Sequence, residues 1–331
     1  MKTELQNRSE LFMENKNRLE KAILLESPSI YVIAANVLAA RNVSVDIDRI
    51  EECYKVLTKR TGFFSNFRGT AMMPVVCTLA TSDDPEGKMD KIVSMYNLLK
   101  KDFSGSEYLV VVATVLVDMV KEDEAEAFIH KGKEIYKLMK KDHPFLTGAE
   151  DSVFAVLLAF SDKSAEEIAT EMEQIYQELK PLGFEQNSTQ TVSQIFALAD
   201  GDNHEKCEKF KKVLEGLNAA GRKYGKSYEL GALAGLVMLP VDADQIVEDM
   251  LEIDACLGEQ KGYGTFGILG FDKKDRLMHA AMILAGVYGK DKSAEISSIT
   301  GTIASVAIHQ AVMYGAIGAG VAGGIGAAAG K

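Results

Sequence analysis

A tyrosine followed by a basic cluster recurs along the chain at intervals close to 40 residues. The recurring residues are Tyr54, Tyr96, Tyr136 and Tyr176, which are spaced by 42, 40 and 40 positions. A fixed period of roughly 20–50 residues indicates stacked supersecondary units, each of which buries its apolar face only against its neighbours. The period therefore restricts the chain to a repeat architecture. A phenylalanine follows each basic cluster within a few residues, and these phenylalanines are Phe63, Phe103, Phe145 and Phe184.

Each repeat holds two kinds of segment with helical character. The first is apolar almost all round, as in residues 30–40 and 108–119, which is typical of a helix buried on most sides. The second is amphipathic, with acidic residues early and basic residues late, the order that complements the helix macrodipole. Ser164 and Glu167 form a capping-box pattern at one such start. The sequence predicts an all-α protein in which buried and solvated helices alternate.

The period and the length together predict about six to seven helical hairpins. We expect an open α-solenoid; closure into an α/α toroid is the alternative, because seven hairpins can complete a ring. Residues 1–27 are predicted to form an N-terminal capping helix and residues 28–292 the hairpin-repeat domain. Residues 293–331 form an Ala/Gly-rich tail without a matching repeat.

The tail permits several structures. It carries no Asp, Glu, Lys or Arg between residues 296 and 330, and it is long enough for a membrane span. Its abundant Gly and Ala, together with His309 and Gln310, make its hydropathy borderline. A loosely ordered tail, a helix packed on the array or on another copy, and membrane contact through residues 300–330 all remain open.

Charge and cysteine usage bound the partners and the compartment. The net charge of −11 argues against nucleic acid, because binding to phosphate backbones needs clustered Lys and Arg. Four cysteines without a C-x-x-C pair suggest a reducing compartment. The polar N-terminal residues 1–20 do not resemble a signal peptide. We expect a cytoplasmic protein, with peripheral or tail-anchored membrane association as the alternative.

Recognisable catalytic and cofactor motifs are missing from the sequence. None of the five histidines was matched to a partner at a spacing typical of a zinc site, and G-x-S-x-G and P-loop motifs do not occur. Two G-x-G-x-x-G matches, at 262–267 and 318–323, lack the preceding strand that a dinucleotide site requires. We therefore predict no catalytic residue, no cofactor and no metal site. These features favour a protein that is not an enzyme, without deciding the question.

One row of polar residues follows from aligning the repeats, at the starts of successive apolar helices. Acids near a helix start are also favoured electrostatically and as caps, so that a purely structural role is the competing interpretation. Arg68 does not fit the structural interpretation, because a positive charge is unfavourable at the start of a helix. Its presence indicates a carboxylate partner or an anionic ligand. The predicted interaction rim consists of Arg68, Glu107, Glu150, Gln190 and Glu229.

Several short blocks near these helix starts carry a family resemblance. They are residues 64–69 (FSNFRG), 105–109 (GSEYL), 143–146 (HPFL) with 150–154 (EDSVF), and 259–264 (EQKGYG) leading to 276–278 (RLM). Over residues 3 to 290 the chain resembles an uncharacterised bacterial family, the domain of unknown function numbered four thousand and three. The resemblance implies no activity, cofactor or site residue, and the tail lies outside it.

Three functions are consistent with these features. The first is a scaffold that binds a protein or peptide along the rim or a concave face, as repeat proteins commonly do. The second is a membrane-associated adaptor anchored by the tail. The third is a small-molecule enzyme with a central toroid pocket, in which Arg68 and the acidic rim residues contact the ligand.

Overall fold

The computed structural model describes residues 3–23, 28–121, 123–263 and 271–289. Within these ranges the chain forms fourteen α-helices and two three-residue 3-10 helices, and it contains no strand. The all-α prediction is confirmed.

The helices alternate between two types, as the sequence predicted. The even-numbered helices are the more buried ones: α8 and α12 are buried at every residue, and α10 is buried from Ser188 to Ala197 although many of its residues are polar. The amphipathic, outer helices are α1 (Thr3–Ala22), α3 (Ile47–Arg60), α5 (Pro85–Leu99), α7 (Ala125–Asp142), α9 (Ala165–Leu179), α11 (Asn203–Ala219) and α13 (Ala243–Gly258). The apolar, inner helices are α2 (Pro28–Ala40), α4 (Met72–Ala80), α6 (Glu107–Met119), α8 (Asp151–Leu158), α10 (Gln186–Leu198), α12 (Leu230–Val237) and α14 (Lys273–Tyr288).

Side-chain caps begin most of the outer helices. The Ser164 hydroxyl accepts from the backbone N–H of Glu167, whose carboxylate accepts in return from the backbone N–H of Ser164, so the predicted capping box is present. Aspartates cap four other outer helices, which places acidic residues at the positive end of each helix dipole. They are Asp46 for α3, Asp84 for α5, Asp202 for α11 and Asp242 for α13.

Neighbouring outer helices run parallel. Lys212 pairs with Asp244 at 2.7 Å and Arg222 pairs with Asp254 at 2.8 Å, so residue numbers in α11 and α13 rise together. Hydrogen bonds between residues 30 to 33 positions apart show the same parallel orientation for three further pairs of helices. These pairs are α9 with α11, α7 with α9 and α3 with α5. Outer helices therefore begin on one face of the array, the cap face of Asp46, Asp84, Glu124, Ser164, Asp202 and Asp242. They end on the opposite face.

We call that opposite face the junction face, because there the chain passes from each outer helix to the next inner helix. It comprises residues 61–71, 100–106, 143–150, 180–185 and 220–229. Three of the four recurring tyrosines pack there on an aromatic ring of the preceding junction. Tyr96 meets Phe67, Tyr136 meets Phe103 and Tyr176 meets His143, with ring centroids 4.7 to 5.7 Å apart. The 40-residue period thus reflects one aromatic contact between consecutive hairpins.

The first and last helices are in contact. Helix α14 packs against α1 and α2, and α13 packs against α1. Lys16 of α1 is 1% exposed, and its Nζ lies 6.0 Å from the ring centroid of Tyr263 and 5.8 Å from that of Phe271. Tyr263 in turn hydrogen-bonds to buried His279, whose pKa burial lowers to about 3. The two ends of an open solenoid lie far apart, so these contacts favour the toroid alternative over the open array.

The predicted tail, residues 293–331, lies outside the described residues. No described helix combines the length and the apolar character that crossing a membrane requires.

We predict that Lys16→Ala weakens both ends of the chain together. The substitution removes a buried stem and the 2.7 Å ion pair with Glu20, at a cost of roughly 1.5–3 kcal/mol in the free energy of unfolding. Hydrogen exchange followed by mass spectrometry should show faster exchange in α1 and also in α14. Arg18→Ala, which removes a half-exposed i,i+4 pair, is the matched control and should change little. Faster exchange in α1 alone would contradict the closed arrangement.

Candidate functional site

The five predicted rim residues do lie at the starts of successive inner helices, on the junction face. Arg68 precedes the 3-10 turn that leads into α4, and Glu107 is the first residue of α6. Glu150 and Glu229 directly precede α8 and α12, and Gln190 lies in α10. Their use as one binding site stays a prediction, and the contacts of each residue bear on it.

Glu107 joins two inner helices. Its Oε2 accepts from the backbone N–H of Thr70 at 2.9 Å and also from the Thr70 hydroxyl. Gly69 makes this approach possible, because its φ of +67° suits glycine and an added Cβ would lie 2.7 Å from Oε1 of Glu107. The carboxylate of Glu107 therefore stabilises the start of α4.

Glu229 is also engaged within its own helix start. It is 3% exposed, and its Oε2 accepts from the backbone N–H of Ser227 at 3.0 Å. Burial raises the pKa of this carboxyl. Neighbouring side chains link α12 to the helices beside it: Ser227 donates to Glu185 at 2.6 Å, and Tyr228 donates to Asp275 at 2.9 Å.

The most unusual polar cluster is centred on Asp151, one residue beyond the predicted Glu150. Asp151 is 3% exposed, and its Oδ1 accepts from Nε2 of Gln190 at 3.2 Å and of Gln194 at 2.5 Å. Its Oδ2 accepts from the backbone N–H of Gly148 at 2.6 Å. Burial, followed by the negative charge of Glu150, raises the pKa of Asp151 to about 7. Asp151 can therefore hold a proton near neutral pH.

The surroundings of this cluster leave little room for a substrate. Oε1 of Gln190 and Oε1 of Gln194 are buried without a hydrogen-bond partner. The cavity beside them, which His143 and Glu173 also line, has a volume of about 20 Å³. That volume accommodates roughly one water molecule, which could satisfy both amide oxygens. Sequence reasoning missed Asp151 and Gln194, although Gln194 follows Gln190 by one helical turn on the same face.

Arg68 has fewer contacts than a half-buried guanidinium normally makes. Its Nη2 donates to the carbonyl of Thr61 at 3.3 Å, while Nε and Nη1 are buried without a partner. No carboxylate of the described residues pairs with it. The carboxylate partner that the sequence suggested for Arg68 is therefore not seen there. The anionic ligand stays open for Arg68, whereas the contacts of Glu107 and Glu229 favour a structural role for those two acids.

Exposed phenylalanines are a second feature of the junction face. Phe63, Phe64 and Phe145 are 81%, 96% and 98% exposed, and the rings of Phe63 and Phe64 meet edge to face at 5.0 Å. The repeat pattern had aligned Phe63 and Phe145 with Phe103, which is buried. Their exposure follows from the junction aromatics, because Phe67 and His143 take the packed positions beside Tyr96 and Tyr176.

Exposed lysines flank these phenylalanines. The segment between Glu52 and Asp83 carries four basic residues and no acid, in a chain of net charge −11. The other two junctions of this sector add paired lysines at the ends of α5 and α7. The exposed lysines of the sector are Lys59, Lys100, Lys101, Lys140 and Lys141. Asp102 and Asp142 lie among these lysines, and Glu107, Glu150 and Glu229 also lie on the junction face, so this sector carries an excess of basic residues rather than a uniformly basic surface.

One group of side chains has the composition of a metal site. The ligand atoms of Glu178, His204 and Glu208 lie within 4.8 Å of one another. The ammonium group of Lys211 already pairs with Glu178 at 3.1 Å and with Glu208 at 2.7 Å, and so supplies the positive charge. His204 and Glu208 are spaced i,i+4 on α11, and this spacing is the signal in the sequence for the group.

A groove of about 850 Å³ opens between α5, the end of α6 and the start of α7. Half-buried Leu98, Val117 and Val120 form its apolar floor. The exposed pair of Lys101 and Glu126, at 3.0 Å, lies at its edge.

One family model matches residues 17–313, and the family is described as a protein of unknown function (DUF4003). This match confirms the predicted resemblance. It also extends into the tail, which the resemblance had left outside. No curated protein and no solved structure matches the chain.

We predict a pH-dependent stability difference between the wild type and Asp151→Asn. Because the folded pKa of Asp151, about 7, exceeds the unfolded value of 3.8, protonation stabilises the folded state. This contribution is fully present below pH 3.8 and is lost as the pH rises through 7. Asparagine mimics the protonated acid, so the Asp151→Asn variant should not lose this stability as the pH rises.

Denaturant unfolding measures this difference. Between about pH 4 and pH 7, the free energy of unfolding of the wild type should fall by roughly 1.4 kcal/mol per pH unit relative to that of Asp151→Asn. Asp142→Asn, at an exposed neighbouring aspartate, is the control and should follow the wild type. Parallel stability curves for the wild type and Asp151→Asn would contradict the raised pKa.

We also predict that substitutions of two rim residues change the free energy of unfolding differently. Glu107→Ala should lower the free energy of unfolding by about 1–3 kcal/mol, because the Thr70 N–H loses its acceptor. Arg68→Met keeps an apolar stem and removes two unpaired buried donors, so stability should be unchanged or slightly higher. Chemical denaturation followed by circular dichroism measures both. Equal losses would show that Arg68 has a stabilising partner.

Proposed function

The chain belongs to this family of proteins of unknown function, and we propose that it is a docking scaffold that binds a partner through its junction face. The observation that carries the proposal is the near-complete exposure of Phe63, Phe64 and Phe145. Large apolar side chains exposed together on one face commonly mark an interaction surface. Each buried phenylalanine contributes about 1.5–3 kcal/mol, so three of them support specific association.

The contacts of the rim support a scaffold over an enzyme with a central pocket. Glu107 and Glu229, two of the acids proposed for ligand contact, hold helix starts together. Asp151, whose pKa burial raises to about 7, is enclosed by Gln190 and Gln194, and the cavity that these two residues line has a volume of about 20 Å³. These groups stabilise the array, whereas the phenylalanines contribute nothing to its described core.

Charge restricts the partner. The lysines beside the exposed phenylalanines, with Lys59 and Lys140 at the two ends of the sector, favour a partner that combines apolar groups with negative charge. An acidic protein or peptide and an anionic membrane surface both have this character. The cytoplasmic location expected from the sequence is compatible with either partner.

Photo-crosslinking in cells tests whether the junction face docks at all. A benzophenone amino acid at position 64 should give specific crosslinked products, because Phe64 is 96% exposed at the proposed contact. The same probe at position 54 is the matched control, since Tyr54 is a 43% exposed aromatic residue on outer helix α3, away from the junction. Equal yields at positions 54 and 64 would refute docking through this face.

A further inference from the structure

We propose that the partner of the junction face is the surface of an anionic lipid bilayer. In this arrangement Phe63, Phe64 and Phe145 insert among the headgroups and upper acyl chains, and the flanking lysines contact lipid phosphates. The inference rests on the docking function proposed above and names its partner.

The position of the phenylalanines suits a flat partner. Helices α3 and α5 are parallel, and the junction after α5 packs through Phe103 on Tyr136 near the end of α7, so the loop with Phe63 and Phe64 and the loop with Phe145 lie on the same face. Between them lies the junction at residues 100–106, where Phe103 is buried and Lys100 and Lys101 are exposed. A planar surface can receive both phenylalanine-bearing loops at once, with the lysines between them at the level of the headgroups.

The exposure of these rings favours a bilayer over a protein groove or helix. Anchor residues of protein interfaces cluster near the centre of the contact and fill matching pockets. Here the rings stand at two separate loops and are 81–98% exposed, a distribution that fits shallow insertion into lipid. Aromatic side chains are enriched at the membrane–water interface.

The charge distribution orients the protein toward an anionic surface. Four basic residues and no acid lie between Glu52 and Asp83, and paired lysines end α5 and α7. Asp102 and Asp142 are interspersed among them, and Lys101 also pairs with Glu126. The caps Asp46 and Asp84 lie at the opposite ends of α3 and α5, away from the exposed phenylalanines, so an anionic surface attracts the lysine-bearing end of this sector more strongly than its cap end. Each lysine near an anionic surface raises affinity about fivefold.

Tryptophan fluorescence provides the most direct test, because the natural chain contains no tryptophan. Full-length Phe64→Trp and Phe145→Trp each report from one proposed insertion site. With vesicles of phosphatidylcholine and about one third phosphatidylglycerol, both should show emission shifted to shorter wavelength, reduced by high salt. Full-length Tyr54→Trp, which reports from an outer helix, should show no shift. Unshifted emission at positions 64 and 145 would overturn the proposal.

Vesicle sedimentation of the full chain measures the affinity. Phe63→Ser with Phe64→Ser should weaken binding to the anionic vesicles at least tenfold, and Lys140→Gln with Lys141→Gln by roughly 25-fold if each lysine contributes fully. Tyr54→Ser should bind as the wild type does. Undiminished binding of the phenylalanine double variant would show that another segment, such as the tail, binds lipid, and would overturn the assignment of this face.

The two proposals fail in different ways. If position 64 crosslinks to a protein in cells and the purified chain does not bind anionic vesicles, the docking proposal is supported and the bilayer inference is wrong. If position 64 neither crosslinks above position 54 nor responds to vesicles, both are wrong.

Discussion

Stacking of each apolar inner helix on the next is the interaction on which the rest of the structure depends. Helices α8 and α12 are buried at every residue, and neither has a polar face to turn toward water. Such helices gain stability only when neighbours cover them on all sides, so each hairpin requires the next. The same requirement applies to the first and last hairpins, and the contact of α14 with α1 and α2 covers surfaces that an open array leaves exposed.

The row of acidic caps on the cap face is a consequence of this stacking. A single outer helix needs an acid at its start and a base at its end for local reasons of capping and dipole. Parallel repetition adds these local preferences, so the starts with Asp46, Asp202 and Asp242 form one face. Basic last turns occur in α1, α3 and α7, and the last two lie beside the exposed phenylalanines. The basic character of that sector therefore arises from local helix chemistry.

Sequence reasoning predicted polar residues near the starts of the inner helices but did not identify which side chains are buried there. Glu150 was predicted because acids recur at the helix starts, yet the buried proton-holding residue is Asp151 beside it. Phe63 and Phe145 share a repeat position with buried Phe103, yet both are exposed. In both cases a residue a few positions away takes the packed site: Phe67 and His143 at the junctions, and Asp151 at the start of α8. Small differences in junction length decide which side chain packs, and a period of about 40 residues does not resolve them.

The amino-acid sequence alone determined the helical class, the alternation of inner and outer helices, the caps and the family. These features depend on periodicity and on neighbours within one turn, so they can be predicted locally. Only the tertiary structure decided that Lys16 lies against Tyr263 and Phe271, that Asp151 is enclosed by Gln190 and Gln194, and that three phenylalanines remain outside the core. Burial and long-range contact depend on how the hairpins stack, because residues far apart in sequence share an environment only after the array has formed.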